Sequence, residues 1–95
     1  MVPLGLIYMT SKQETQLQGV LSVAHQDFER GLNSHAFFKV HNHATGENLV
    51  QDTFMKTWIY LVKGGKIEMM KAFLYHILNN LFQDYLILLL LMKEF

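Results

Sequence analysis

The sequence contains no cysteine and only one proline, Pro3, among its 95 residues. The absence of cysteine excludes disulfide bonds and thiolate-bound metal ions. Because the one proline lies at the start, no later residue forbids a long helix. Charged residues are also scarce at 17 %, against roughly 25 % in an ordinary soluble domain. Eight basic and eight acidic side chains cancel, so the chain lacks the overall positive field of a protein that coats nucleic acids.

Long hydrophobic runs are missing as well. The run Leu86–Met92 has seven residues, whereas a helix that crosses a bilayer needs about 20. Extending it towards the N-terminus meets Asp84 and Asn80, which are costly in hydrocarbon, so we predict no membrane span. The segment Met1–Met9 is apolar but lacks the basic residues and the cleavage site of a secretory signal. The simplest expectation is therefore a cytoplasmic protein.

What the sequence does contain is a helical spacing of apolar residues in three segments. Hydrophobic residues make up 51 % of the chain, enough to form the core of one domain. The first apolar stripe comprises Leu17, Leu21, Ala24, Phe28, Leu32, Ala36 and Val40. The second comprises Leu49, Val50, Phe54, Trp58, Leu61 and Val62. The third comprises Met70, Phe73, Leu74, Ile77, Leu81, Tyr85 and Leu88.

These stripes predict an all-α bundle of three or four helices. The number stays open because Gly31 interrupts the first segment, which is either one helix or two. We predict that Thr45 caps the second segment and that Gly64 ends it. The domain is expected to cover residues 14–92, after an N-terminal extension over residues 1–13.

The sequence gives no sign of an enzyme, a cofactor or a metal site. His35, His41 and His43 lie close together in sequence, but residues i and i+2 of a helix face different directions, so a solvated or partly packed cluster is the simpler interpretation. The serines have no recognisable base arrangement. The stretch Gly64-Gly65-Lys66 resembles the end of a phosphate-binding loop, but the upstream glycine of that motif is missing.

Two stretches carry polar side chains that folding does not require. In the second segment these side chains have the spacing i, i+3, i+4 and i+7, which suits the docking of a partner helix, although a solvated face would have the same pattern. They are Asn48, Gln51, Asp52 and Met55. The third segment interleaves its apolar stripe with side chains that stack on bases or bind their edges, namely Tyr75, His76, Asn79 and Asn80. Lysines just upstream suit contact with unpaired bases, although an amphipathic helix with incidental aromatics is the simpler alternative.

At these two stretches the sequence resembles region 2 of bacterial RNA polymerase sigma factors, especially the extracytoplasmic-function class. That family has an Ala-Glu-Asp-Leu-Val-Gln-Glu/Asp-Thr-Phe run followed by a Trp four residues on, and here Gly46–Phe54 and Trp58 match it. The family's second motif, Trp-Leu-Tyr-x-Ile-x-x-Asn ahead of an Asp, is matched by Phe73–Asn80 with Asp84 after it. The resemblance covers about residues 26 to 85, and two ordered motifs are more specific than either alone.

The resemblance implies a helical domain with two partners and no catalytic role. Residues of the first motif would dock on the clamp helices of the largest subunit of core RNA polymerase. The implied polymerase-binding residues are Asn48, Gln51, Asp52 and Met55. The second motif and the loop before it would capture the melted −10 strand of promoter DNA. The implied DNA-binding residues are Lys66, Lys71, Tyr75, His76 and Asn80. An anti-sigma factor is a further candidate partner.

The sequence departs from the family at several positions. Asn48 stands where the family usually has Asp, and Phe73 replaces the usual Trp. After Asp84 the family continues with basic residues, whereas this chain has the apolar run Leu86–Met92. The 95 residues contain no counterpart of the domain that reads the −35 element. These departures predict a truncated or frameshifted sigma factor with impaired DNA binding. The alternative is a helical protein outside transcription that uses its apolar C-terminal run to contact a partner or a membrane surface.

Overall fold

The computed structural model of the protein describes residues 10–93, and within this range it contains three α-helices and no strand. Helix α1 covers Ser11–Val40, α2 covers His43–Val62 and α3 covers Met70–Lys93. The all-α prediction is therefore confirmed, with three helices, and α1 runs through Gly31 without a break. The predicted extension 1–13 falls mainly on residues outside the described range, although α1 already begins at Ser11.

Polar side chains define where α1 and α2 begin. Thr10 accepts a hydrogen bond from the backbone N–H of Gln13, whose side chain accepts one from the N–H of Thr10, so the two form a capping box. The prediction that Thr45 caps α2 is wrong, because the helix starts two residues earlier. Asn42 is the cap, and its side-chain oxygen accepts from the N–H of Thr45 at 2.9 Å.

The two connections between the helices differ in length. His41, in the left-handed conformation with φ of 55°, ends α1, and the next residue already caps α2. Helix α2 ends just before Gly64, as predicted, and the φ of Gly64 is +89°, a conformation that glycine adopts without strain. The N–H of Gly65 then donates to the carbonyl of Tyr60 at 2.9 Å.

The contacts of α1 show how the helices are arranged. Rings stack between His25 and Phe54 at 3.6 Å and between Phe37 and His43 at 3.9 Å, so α1 and α2 are antiparallel. Helix α3 runs parallel to α1. Two contacts about one turn apart establish this direction, because the partner residue rises in number along both helices: His35 bonds to Asn79 at 3.0 Å, and Lys39 lies 5.0 Å from the centre of the Phe82 ring.

All three helices contribute to one hydrophobic core. Its fully or nearly buried apolar members are Ala24, Leu32, Ala36, Leu49, Val50, Phe54, Leu74 and Leu78. Most were predicted from the stripes, but Leu78 was not, and Leu88, which was predicted, is 56 % exposed. Leu78 follows Leu74 by four residues and lies on the same face of α3, whereas Leu88 lies beyond the end of α1 and has no neighbour to pack against.

Two threonines and a glycine are also buried where α2 packs on the bundle. The hydroxyls of Thr53 and Thr57 donate to the carbonyls of Leu49 and Thr53 at 2.8 Å, so burial leaves neither hydroxyl unsatisfied. A Cβ atom at Gly46 would lie 3.2 Å from the backbone nitrogen of Phe37. The small residue at position 46 therefore lets the start of α2 approach the end of α1 closely.

The burial of Leu74, which is 0 % exposed, leads to a stability prediction. Leu74→Ala should lower the free energy of unfolding by about 2–5 kcal/mol, because it removes buried methyl groups and leaves a cavity between helices. The matched control is Leu90→Ala, since Leu90 is 62 % exposed, and it should change stability by less than about 0.5 kcal/mol. Urea unfolding followed by circular dichroism measures both, and equal losses would contradict this placement of the core.

Candidate partner-binding surfaces

The polar residues predicted to bind polymerase form one exposed strip on α2, which we call the α2 face. It consists of Asn48, Gln51, Asp52 and Met55, all of them exposed. The helix brings them together because residues three and four apart lie next to one another on its surface. The opposite side of the same helix supplies core residues such as Val50 and Phe54, which are 2 % and 4 % exposed. The face is thus held in place by the packing of the helix, while its own side chains remain accessible.

The α2 face combines hydrogen-bonding groups with an apolar contact. Met55 is 60 % exposed, and Ile59, one turn further along α2, is 44 % exposed. Ile59 extends the strip, although the sequence reasoning missed it; the continued spacing i+4 from Met55 was the available signal. Within the described part of the chain, Asp52 forms no ion pair. Its carboxylate can therefore accept hydrogen bonds from a partner without first breaking a contact in this protein.

The residues predicted to bind DNA lie along the first half of α3 and the connection before it. We call this the α3 surface, and it consists of Lys66, Lys71, Tyr75, His76 and Asn80. Four of the five are exposed; Tyr75 is half-buried. The amide nitrogen of Asn80 lies 3.2 Å from Nε2 of His76, which orients the two side chains towards one another. Nδ1 of the imidazole and the amide oxygen remain available to the edge of a base.

Tyr75 is packed against α1 rather than presented to solvent. Its ring meets the ring of His35 edge-on at 5.2 Å, and a Cβ atom added to Gly31 would lie 2.8 Å from its hydroxyl oxygen. Asn79, which the sequence reasoning grouped with the possible base contacts, is also half-buried and bonded to His35. These two side chains hold α3 on α1, so the accessible polar groups of the α3 surface are the lysines, His76 and Asn80.

Tyr60 is an aromatic residue near Lys66 that the sequence reasoning missed. It is 41 % exposed, its hydroxyl donates to the carbonyl of Lys66 at 3.3 Å, and its ring lies 5.0 Å from that of Phe73. The signal in the sequence is an aromatic residue that precedes the Gly64-Gly65 turn by four positions. The ring also packs directly on Gly65, so the part of it that remains exposed is what Tyr60 can offer for stacking on a base.

Of the histidines singled out in the sequence, His35 lies apart from the other two and faces α3. His43 stacks on Phe37 at 3.9 Å, and His41, in the turn between α1 and α2, lies edge-on to the same ring at 6.5 Å. Over residues 10–93, no group of three or more histidine, aspartate or glutamate side chains is placed where it could hold a metal ion.

The end of α3 forms a third accessible surface. We call residues Leu86–Met92 the α3 tip; each of the seven is between 37 % and 63 % exposed. Helix α3 is long and apolar enough to cross a membrane, but core helices of soluble proteins meet the same two criteria of length and composition. The prediction that the chain has no membrane span therefore stays a prediction.

Comparisons of the chain with protein-family models, with curated proteins and with solved structures found no match.

The contact between Tyr75 and Gly31 can be tested by stability measurements. Gly31→Ala alone should gain little, because the added methyl group meets the tyrosine hydroxyl and displaces it. In a Tyr75→Phe background the same change should stabilise by about 0.5–1 kcal/mol, the difference in helix propensity between alanine and glycine. Urea unfolding of the two single variants and the double variant gives the coupling. Additive effects would place the Tyr75 hydroxyl away from Gly31.

Proposed function

We propose that the chain is a sigma-factor-like, non-catalytic domain that docks on core RNA polymerase and contacts the melted −10 strand of a promoter. One observation carries the proposal. In the two stretches that resemble sigma-factor motifs, the apolar residues lie in the core. Most of the polar residues to which the resemblance assigns a binding role are exposed. Leu49, Val50 and Phe54 are buried, whereas Gln51 and Asp52 between them are exposed. A motif that only served folding would not require the particular polar residues at the exposed positions.

The α2 face suits a helical partner. Clamp helices in a coiled coil present a narrow ridge, and an exposed strip on a straight helix can lie along such a ridge. Asp52 would accept hydrogen bonds from basic side chains, Gln51 and Asn48 can both donate and accept, and Met55 adds an adaptable apolar contact. Because Asn48 is neutral where the sigma family usually has Asp, we expect this chain to bind polymerase less tightly than a typical member.

The α3 surface suits one or two unpaired bases rather than a duplex. Lys66 and Lys71 can each neutralise a phosphate, and His76 and Asn80 can bind the edge of a base. A base taken out of the stack costs a few kcal/mol, which stacking and hydrogen bonding at the new site must offset. Since Tyr75 is packed on α1, Tyr60 is the better candidate for the stacking contact. With only two lysines on this surface, we expect the binding to be weak.

Polymerase docking is tested by capture of core RNA polymerase on the immobilised protein. Gln51→Lys with Asp52→Lys should reduce capture at least tenfold, because the double variant replaces a carboxylate and an amide on the α2 face with two positive charges. The chain offers a matched control in Gln26→Lys with Asp27→Lys, the same adjacent pair of residue types on the exposed side of α1.

The control should capture polymerase as the unchanged protein does. If both double variants lose capture equally, the loss reflects total charge rather than the α2 face. If neither loses it, the α2 face is not the docking surface, and if the unchanged protein captures no polymerase the proposal fails.

Contact with the promoter strand is tested by fluorescence anisotropy of a labelled single strand with the −10 sequence. The affinity should be low, and the logarithm of the binding constant should fall with the logarithm of salt concentration at a slope of about −1.4, as two neutralised phosphates imply. Lys66→Gln with Lys71→Gln should flatten that slope towards zero. The control pair, Lys12→Gln with Lys56→Gln, changes two other exposed lysines away from the α3 surface and should leave the slope unchanged. Tight binding with a steep slope would contradict the assignment.

A further inference from the structure

The α3 tip is apolar on every side, and this distribution limits what can cover it. Successive residues of an α-helix are rotated by about 100°, so the seven consecutive apolar residues Leu86–Met92 point in all directions around the axis. None of them is buried, and even the least exposed, Leu89, is 37 % accessible. A helix that is apolar all round is typical of a protein interior or of lipid, not of the surface of a bundle in water.

The tip is exposed because α3 extends beyond the end of α1, the helix that it packs on. Helix α1 ends at Val40, and Lys39 lies over Phe82, so the end of α1 is level with the residues just after Phe82. Tyr85 is the last residue of α3 that packs on the core. Beyond it, about 9 Å of helix from Leu86 to Met92 overhangs the bundle.

A second protein chain is a poor match for this overhang. One side of a helix about 9 Å long and about 10 Å wide offers roughly 100 Å², far below the roughly 800 Å² per partner of a specific stable interface. Such a partner would also leave the far side of the tip in water. Lipid acyl chains, by contrast, surround an inserted helix and cover all of its sides.

We propose that the α3 tip inserts into the surface of a lipid bilayer and anchors the bundle there. A projection of about 9 Å is long enough to enter the headgroup and acyl boundary, the layer in which interfacial helices bury their apolar faces to about 5–10 Å. The exposed carboxylate of Asp84 stays in water, so it limits how much of α3 can insert. At the other end of the tip, Lys93 follows in the last turn of the helix. If the helix enters at a slant, the stem of Lys93 can lie in the apolar layer while its amine reaches the headgroups.

Phe38 adds exposed apolar surface at the same end of the bundle as the α3 tip. It lies one residue before Lys39, at the end of α1 from which the tip projects, and it is 75 % exposed, the highest value among the large apolar side chains described. An aromatic ring at that position can rest in the interfacial layer beside the inserted tip. Because the chain has zero formal net charge, the insertion depends on apolar area, and anionic lipid adds little to it.

The test is flotation of the purified full chain with phosphatidylcholine vesicles through a density gradient. The protein should float with the vesicles at low and at high salt alike, since the contact is apolar. Leu88→Gln with Leu91→Gln should weaken vesicle binding roughly tenfold to a hundredfold, because both side chains are more than half exposed in the bundle and would be covered by lipid. Neither change alters the net charge, and circular dichroism checks that both proteins stay helical.

The control is Val20→Gln with Val23→Gln, a similar loss of exposed apolar side chains from α1, away from the tip. It should float as the unchanged protein does. Three outcomes would overturn the proposal. Both double variants could lose vesicle binding equally, the protein could float only with anionic phosphatidylglycerol vesicles, or the unchanged protein could fail to float. A dimer in light scattering that becomes monomeric in the Leu88→Gln, Leu91→Gln variant and does not bind vesicles would overturn it as well. The measurement contains no polymerase, so its outcome is independent of the function proposed above.

Discussion

The parallel packing of α3 alongside α1 determines which residues of the protein can contact a partner. The bond between His35 and Asn79 and the contact between Gly31 and Tyr75 fix the register of the two helices. In this register Tyr75 and Asn79 pack against α1 and are not available to bind bases, although the sequence pattern alone suggests that they could. The same register also matches the end of α1 with the residues just after Phe82, so that every later turn of α3 lacks a neighbour. One helix pair therefore defines both the accessible part of the α3 surface and the exposed tip.

The sequence predicts the helices well because each has a strong apolar stripe, and it predicts the α2 face because a single helix is enough to define it. Residues 48, 51, 52 and 55 share one side of α2 whatever the helix packs on. The α3 surface depends on a second helix, and no local pattern reveals that Tyr75 packs on Gly31. The error at Leu88 has the same origin: its spacing continues the stripe, but burial also requires that α1 reach that far, and α1 ends at Val40.

Part of the unusual composition of the chain is localised in the fold. The body of the bundle has the ordinary division between a buried apolar side and an exposed polar side, as the alternation of Val50, Gln51, Asp52 and Thr53 on α2 illustrates. Part of the apolar excess lies in the α3 tip, where seven residues in succession add hydrophobic area but no core, and Met1–Met9 is a second apolar segment. Charged residues are sparse over the rest of the chain as well. The apolar tip therefore says little about what the remaining surface can bind. A neutral protein can still hold a few phosphates where exposed lysines such as Lys66 and Lys71 lie near the same end of a helix.

The proposed nucleic-acid and lipid contacts use different stretches of α3, which makes them compatible: Asn80, the residue of the α3 surface nearest to the tip, precedes Leu86 by six residues, or about 9 Å along the axis. Lys66 precedes the helix and Lys71 lies in its first turn, while Leu86 begins the tip some fifteen residues later, or about 22 Å along the axis. The α2 face lies on another helix and is not part of either end. Insertion of the tip into a bilayer would thus leave the lysines and Tyr60 at the far end of the bundle, exposed to water. Lipid and a DNA strand would not compete for the same side chains, and any effect of one on the other would have to pass through the packing of α3 on α1.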